Sequence, residues 1–400
     1  MEEHTVAVTG DFLFDGTEKE PINSGCVIMK GDRIVYSGPQ KSCSIPEDAE
    51  VIDGSGCAVI PGIIDGHMHL TGSPAKLDTQ GHLTHNIRAI RKLRTSMFHG
   101  VTTVVNVGGC PESQVLKDSI EEDYLPPMAR MLIGGMMNST GGHVRGYAGD
   151  GPWGVRKAVR HLAAGGADCI KSAAGGGFMW KHERLDLLDY TLEELRALTG
   201  EAHAKGKKVQ IHAHAQPALN LVIQAGCDII LHGALIDQEA LDGISDRNLS
   251  YMPTLYITSE KSYSRSHLPD HMVKRMKHAN PIHREGVRRA IEMGIRLSLG
   301  TDGGPGDAVT EMNYLCDCGA LPLQVLRIGT GDTAKALGVD EEIGTLEPGK
   351  KADLVLLDKR VLEDISVMED PENIGIVFVN GRRMVVSPEM AGYYRPDHSA

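Results

Sequence analysis

From Gly62 onward the chain alternates short apolar runs with helix-length amphipathic segments, and this repetition restricts the fold more than any other feature of the sequence. The apolar runs fall at 63–65, 101–107, 130–133, 168–171, 208–212, 228–232, 250–254 and 296–301. Helical patterns occupy 83–98, 153–164, 192–205, 281–293 and 322–337 between and after them. Such β/α repetition over about 290 residues predicts an α/β architecture, a (β/α)8 TIM-type barrel rather than an open doubly wound sheet. The third and seventh units carry the weakest signal, the stretch 255–280 being long and polar.

The two ends of the chain are patterned differently. Residues 5–9, 25–30, 33–37 and 57–60 are β-rich and are divided by turns at Asp15-Gly16 and Lys30-Gly31-Asp32. The same style returns after Gly349, at 353–357, 374–380 and 382–386, with Asn380-Gly381 as a hairpin turn. The ends (1–60 and 349–400) are therefore expected to combine into a small β-sandwich domain beside a barrel of residues 61–348. The last dozen residues read as a tail.

A net charge of −12 argues against nucleic acid or an anionic membrane as the main partner. No apolar run reaches membrane-spanning length and the N-terminus has no apolar signal core, so a cytoplasmic protein is expected. The eight cysteines are scattered without a Cys-x-x-Cys pair, and are read as small buried hydrophobes in a reducing compartment. Gly175-Gly176-Gly177 lacks the remainder of a phosphate-binding loop.

In a barrel of this kind, reactive side chains project from the C-terminal ends of the strands. Strand one ends in His67-Met68-His69, strand four in Lys171, strand five in His212-Ala213-His214, strand six in His232 and strand eight in Asp302. Residues i and i+2 of an extended strand face one side, so His67 and His69 can grip one ion together. Imidazole and carboxylate suit zinc and similar divalent ions. Taken singly, a histidine at a strand end is often a buried structural residue, and Asp302 before Gly303-Gly304 often a turn residue. Their conjunction at one end of five strands predicts a metal site.

The segment Pro61-Gly62-Ile63-Ile64-Asp65-Gly66-His67-Met68-His69 resembles the first-strand signature of the amidohydrolase superfamily. The stretch from Gly344 through Pro348-Gly349-Lys350 to Val355 is similar to the segment by which those enzymes leave the barrel and rejoin the small sheet domain. The resemblance implies that His67, His69 and Asp302 bind one divalent metal and that His212 and His232 bind a second. It also implies that Lys171, carboxylated by carbon dioxide, bridges the two ions, most simply Zn2+. Spacing alone leaves open which of His212 and His214 touches metal; the resemblance favours His212. Ile170 to Gly177, and Thr140-Gly141-Gly142-His143, are similar to the prolidase-like branch, whose members hydrolyse dipeptides and N-acyl amino acids.

The implied activity is hydrolysis of an amide C–N bond of a small molecule by hydroxide generated at the metal. Asp302 then acts as general base and acid, His143 or His214 polarises the carbonyl, and Arg145 is a candidate partner for a substrate carboxylate. A cyclic amidohydrolase or a deaminase acting on a heterocycle, including an imidazolonepropionase-like enzyme, is the nearest rival. Ala215 stands where many deaminases of the superfamily carry a proton-shuttling Glu. A non-catalytic barrel scaffold is the alternative of another class, set against the presence of every candidate ligand. Family likeness further suggests a homo-oligomer.

Overall fold

The structure, a computed structural model, describes residues 4–70, 79–108, 112–144, 146–264 and 268–386. The chain opens with β1 (Thr5–Leu13), β2 (Ile22–Lys30), β3 (Arg33–Pro39), β4 (Glu50–Ile52) and β5 (Cys57–Pro61). The alternating part begins with β6 (Ile63–Met68), α1 (Thr79–Met97), β7 (Val101–Val107), α2 (Glu112–Glu121), β8 (Arg130–Asn138) and the short β9 (Tyr147–Ala148). It continues through α3 (Gly151–Ala164), β10 (Cys169–Ala173), α4 (Leu192–Ala204), β11 (Lys208–Ala213), α5 (Ala218–Ala225), β12 (Ile229–His232), α6 (Gln238–Asp246) and β13 (Ser250–Met252). Helices α7 (Glu260–Tyr263), α8 (Asp270–Glu292), α9 (Asp307–Asp317), α10 (Pro322–Arg327) and α11 (Thr333–Leu337) precede the closing strands β14 (Leu354–Asp358), β15 (Ile374–Val379) and β16 (Arg382–Val385).

β6, β7, β8, β10, β11, β12 and β13 pair in sequence order, every pair parallel. Parallel neighbours need a crossover, and helices α1 to α6 supply it. Local chemistry sets the helix ends. Thr191 and Glu194 form a reciprocal capping box at the start of α4, and left-handed Gly226 stops α5.

The expected eighth run makes no regular ladder. Only Leu297 bridges to Tyr251, although Tyr251 N–H donates to Arg296 and Ser298 N–H donates to Tyr251. On the other side Gly66 N–H donates to Leu299, and the amides of Thr301 and Asp302 both donate to the His67 carbonyl. Residues 296–302 thus touch both edge strands, β13 and β6, of a curled parallel sheet. Leu299 N–H is engaged by the Thr333 hydroxyl at 2.7 Å, which removes a donor a ladder would use.

Alternation across the pleat sorts the side chains. Ile170, Val209, Ile211 and Ile230 pack outward with the helices, whereas Cys169, Ile229, Leu231 and Met252 cluster on the inner face. Lys171, Gln210 and His212 share that inner parity, toward the C-terminal ends of their strands. Strands from both chain ends pair in one hydrogen-bonded sheet in the order β16-β15-β14-β5-β1-β2-β3, with β4 paired to β1. Arg130 of β8 ties it to the rest through an ion pair to Asp353 and a hydrogen bond to Asn380.

Candidate metal centre

A cavity of about 590 Å3 opens at the C-terminal ends of the parallel strands. His67, His69, Lys171, His212, His214, His232, Asp302 and His143 all line it. A larger cleft of about 810 Å3, bounded by His99, Tyr314 and Glu363, holds none of these residues. Arg145 lies outside the described residues.

The tightest grouping is His67, His69 and Asp302, whose ligand-type atoms lie within 4.8 Å of one another. Oδ1 of Asp302 is 3.0 Å from His69 Nε2 and 3.4 Å from His67 Nε2. The second contact lacks hydrogen-bond alignment, so among the described residues the buried His67 Nε2 has no hydrogen-bond partner. His232 and His212 adjoin this group, their ring centres 4.6 Å apart and that of His232 5.6 Å from His67. His214 stacks beside His232 at 5.1 Å.

The outer nitrogens of these rings are held by the protein, which selects the tautomer. Gln210 directs its Nε2 to the Gly66 carbonyl, so its Oε1 faces His67 Nδ1 at 3.0 Å and accepts from it. Thr254 donates to the Pro253 carbonyl and accepts from His232 Nδ1 at 2.7 Å. Glu183 accepts from His143 Nδ1 at 2.8 Å. His212 places Nε2 3.3 Å from the Gly176 carbonyl, leaving Nδ1 as its lone-pair nitrogen. Burial first, then neighbouring charge, holds His212, His214 and His232 well below the usual imidazole range, in the neutral form that ligates metal. Burial alone would raise the Asp302 pKa; the close approach of the His67 and His69 imidazoles outweighs it and holds the carboxylate well below its usual range.

The backbone contributes as well. His232 and Asp302 are non-glycine residues in the left-handed region, at φ 71° and 54°. Pleat parity would send His232 outward with Ile230; the left-handed turn accounts for its place in the cavity. Such conformations persist where the surroundings over-determine them. The Tyr251 hydroxyl donates to the His232 carbonyl at 2.9 Å, and the His67 carbonyl receives the Asp302 amide at 2.8 Å.

Several residues of the site were not singled out by the sequence pattern. Asp65, fully buried, accepts from the His67 amide and from both the amide and hydroxyl of Thr301, coupling the two strand ends that carry the metal-ligand group. Burial raises its carboxyl to about 7. Gln210 sits two residues before His212, a spacing that carried the signal unread. Thr254 closes the apolar run 250–254, just past the end of β13, and was not read as a strand-end residue; Glu183 lies in a loop and gives no periodic cue. Arg275 of α8 donates to the carbonyls of Phe178, Trp180, Lys181 and Glu183, fastening the loop that holds His143. Phe178, Ile257, Leu268, Met272 and Met276 form the apolar side of the cavity.

Gly177 shows how little room this leaves. A Cβ there would lie 2.2 Å from His143 Cε1 and 2.7 Å from Nε2. Gly177→Ala is therefore expected to displace the His143 ring and lower kcat/KM by about 10²-fold, with metal content unchanged. Steady-state kinetics beside elemental analysis checks this; an unchanged kcat/KM would detach His143 from the reaction.

Imidazoles and a carboxylate converge on one cavity at the C-terminal edge of a curled parallel sheet, with His67 Nε2 and His214 Nδ1 lacking partners among the described residues, and the group of His67, His69 and Asp302 could hold a metal ion. The chain belongs to the amidohydrolase family, whose match spans residues 58–384. It is accordingly a hydrolase acting on carbon–nitrogen bonds. It is similar to ochratoxinase from Aspergillus niger, 24% identical over 407 residues that cover 91% of this chain and 83% of that one. Imidazolonepropionase from Streptomyces griseus subsp. griseus is 24% identical over 413 residues, covering 94% and 97%. Among solved structures, a Xaa-Pro dipeptidase with methionine bound in its active site superposes with a TM-score of 0.85 at 27% identity, covering 95% of this chain and 100% of that one. No helix among the described residues is long and apolar enough to cross a membrane.

Proposed function

We propose that this chain hydrolyses the amide bond of a dipeptide or an N-acyl amino acid at a centre of two divalent ions, zinc being the best chemical match. The observation that carries the reading is the orphaned, buried Nε2 of His67 beside His69 and Asp302. His67, His69 and Asp302 would hold one ion, His212 through Nδ1 and His232 through Nε2 the other, with carboxylated Lys171 between them. When bound, such ions lower the pKa of coordinated water and polarise the scissile carbonyl. Asp302, held through Oδ1, takes a proton from the attacking water and returns it to the departing nitrogen. His143 and His214 orient the carbonyl, and Phe178 with its apolar neighbours excludes bulk water. Arg145 is kept as the partner of a substrate carboxylate.

Within the same reading, residues 61–348 are a closed (β/α)8 barrel, with 296–301 as its eighth strand joined to β13 and β6. Residues 1–60 and 349–400 form the small β-sandwich, folded about the cluster of Val8, Val27, Ile52, Leu356 and Phe378. A cytoplasmic homo-oligomer is the expected assembly. The likeness to an imidazolonepropionase supports one alternative, hydrolysis of a ring amide, which needs the same site.

Screening dipeptides, N-acyl amino acids and ring amides against the purified protein tests the proposal. Near-stoichiometric metal is expected, with hydrolysis of the linear amides that is lost on chelation and restored by zinc. Full activity of a metal-free sample would overturn the metal centre, and exclusive turnover of ring amides would select the alternative.

A further inference from the structure

The small sheet carries a pair of thiols that the hydrolytic site does not use. The sulfur atoms of Cys26, in β2, and Cys43, in the turn after β3, lie 3.0 Å apart. That is about 1 Å longer than a covalent S–S bond. Cys26 is fully buried, paired across the sheet with Thr9 of β1 and Gly38 of β3. Cys43 is half-buried. Both sit in a small apolar cluster with Ala7, Ile28, Tyr36 and Ile45. The Cys43 amide donates to Gln40 and the Ala49 amide to Pro46, so the backbone bonds of this turn are local. The segment therefore lies against β2 through side chains, with the two sulfurs at the contact. Among the described residues no other two cysteine sulfurs meet.

We propose that Cys26 and Cys43 are a redox modification site, closing to a reversible disulfide when the protein meets hydrogen peroxide and fastening the 43–49 segment to β2. Cys43, the more accessible sulfur, gives an electron pair to the peroxide oxygen. The O–O bond breaks, leaving a sulfenic acid on Cys43 and releasing one water. The Cys26 sulfur then attacks the Cys43 sulfur, the S–O bond breaks, and the departing hydroxide leaves with the Cys26 proton as a second water. Two thiols lose two electrons and two protons, and one peroxide is reduced to two waters. Burial, then the Cys43 contact, pushes the Cys26 thiol up to about 12, so Cys26 is the less suited of the two to meet the peroxide first, and its attack on Cys43 rests on the 3.0 Å approach of the sulfurs. A dithiol pre-set this closely needs no permanently oxidising compartment, because thiol reductants reopen it.

The test uses the full chain. After exposure to hydrogen peroxide, free thiols are blocked and the protein is digested with trypsin without reductant. Lys30, Arg33 and Lys41 separate the two cysteines in sequence, and a second cleavage with a glutamate-specific protease at Glu47 or Glu50 parts Cys43 from Cys57 on the tryptic peptide 42–76, so the double digest reports the link directly. The expected result is a joined pair of peptides that falls apart on reduction. A rise of a few degrees in Tm should accompany it, be absent in Cys43→Ser, and leave kcat unchanged. Recovery of Cys26 and Cys43 as separately blocked peptides after oxidation, or a link to other cysteines, would overturn the proposal. The digest of the unsubstituted chain decides this even if Cys43→Ser folds poorly.

Discussion

Asp302→Asn is expected to lower kcat by about 10³-fold while the fold stays in place. Asparagine preserves shape and one oxygen but discards the negative charge that faces His67 and His69. It also tolerates a left-handed backbone nearly as well as aspartate, so φ of 54° at this position brings no new strain. The main-chain bond from residue 302 to the His67 carbonyl is independent of the side chain and persists. Alanine is the poorer probe, since it combines loss of the carboxylate with backbone strain. Elemental analysis separates two routes to the loss. If the Asp302→Asn variant retains the ions and kcat still falls, the missing function is proton transfer; if one ion is lost, ligation is the main term. Near-normal turnover, with circular dichroism and Tm unchanged, would remove Asp302 from the chemistry.

Periodicity revealed the parts of this molecule that obey a repeat. Seven of the eight runs became parallel strands because each is short, apolar and buried on both faces. The eighth was legible as an apolar segment but not as an irregular one, because the Thr333 hydroxyl that engages Leu299 comes from a distant helix. Similarly, 322–337 reads as a single helix, yet the chain makes a wide turn at Ile328–Asp332 between α10 and α11, with the Thr333 hydroxyl reaching the Ile328 carbonyl. The largest departure is α8. A helix beginning at Pro281 uses proline where its missing N–H matters least. The actual helix starts eleven residues earlier, at Asp270, and carries Pro281 inside. Met272 and Met276 on the added turns pack against Phe178, and Arg275 grips the neighbouring loop. These tertiary contacts compensate for the hydrogen bond that proline cannot make.

The candidate ligands were legible for the opposite reason. They sit at fixed strand ends, where topology brings them together without help from the intervening sequence. Their orientation was not legible. His232 reaches the cavity through a positive φ, and its Nδ1 is fixed by Thr254, just past the end of β13. Asp65 was visible only as part of a strand, although its carboxylate ties together the ends that bear His67 and Asp302.

Lys171→Met is expected to lower kcat by at least about 10²-fold and, with both proteins metal-free, to raise Tm, and the two outcomes together test the role proposed for this lysine. The side chain is buried, and its amine donates to the Ser172 carbonyl at 3.0 Å. Among the described residues no carboxylate lies within ion-pair distance of it, and the charges of Asp302 and Asp189 offset its burial only in part, so as an ammonium it is a poorly compensated charge in the interior. Burial pushes its pKa down to about 8, so an appreciable fraction is the free amine at neutral pH. Only that form has the lone pair to attack carbon dioxide. In the proposed role a C–N bond would form, a proton would leave, and the product would be an anionic carbamate suited to lie between two cations. An ammonium in the same place would be repelled by them. Methionine fills similar space with neither charge nor nucleophile, so the metal-free variant should be more stable than the parent, since no buried charge remains. Its kcat should fall by at least about 10²-fold, the loss associated with disturbing a metal's ligand environment. Lys171→Ala supplies the complementary arm. Truncation leaves a gap at the site of the carbamate, and a short carboxylic acid such as propionate should restore part of the activity there, but none in the methionine variant, where the gap is filled. Activity in Lys171→Met comparable to the parent would make Lys171 a structural residue and leave the proposed second ion without its bridge.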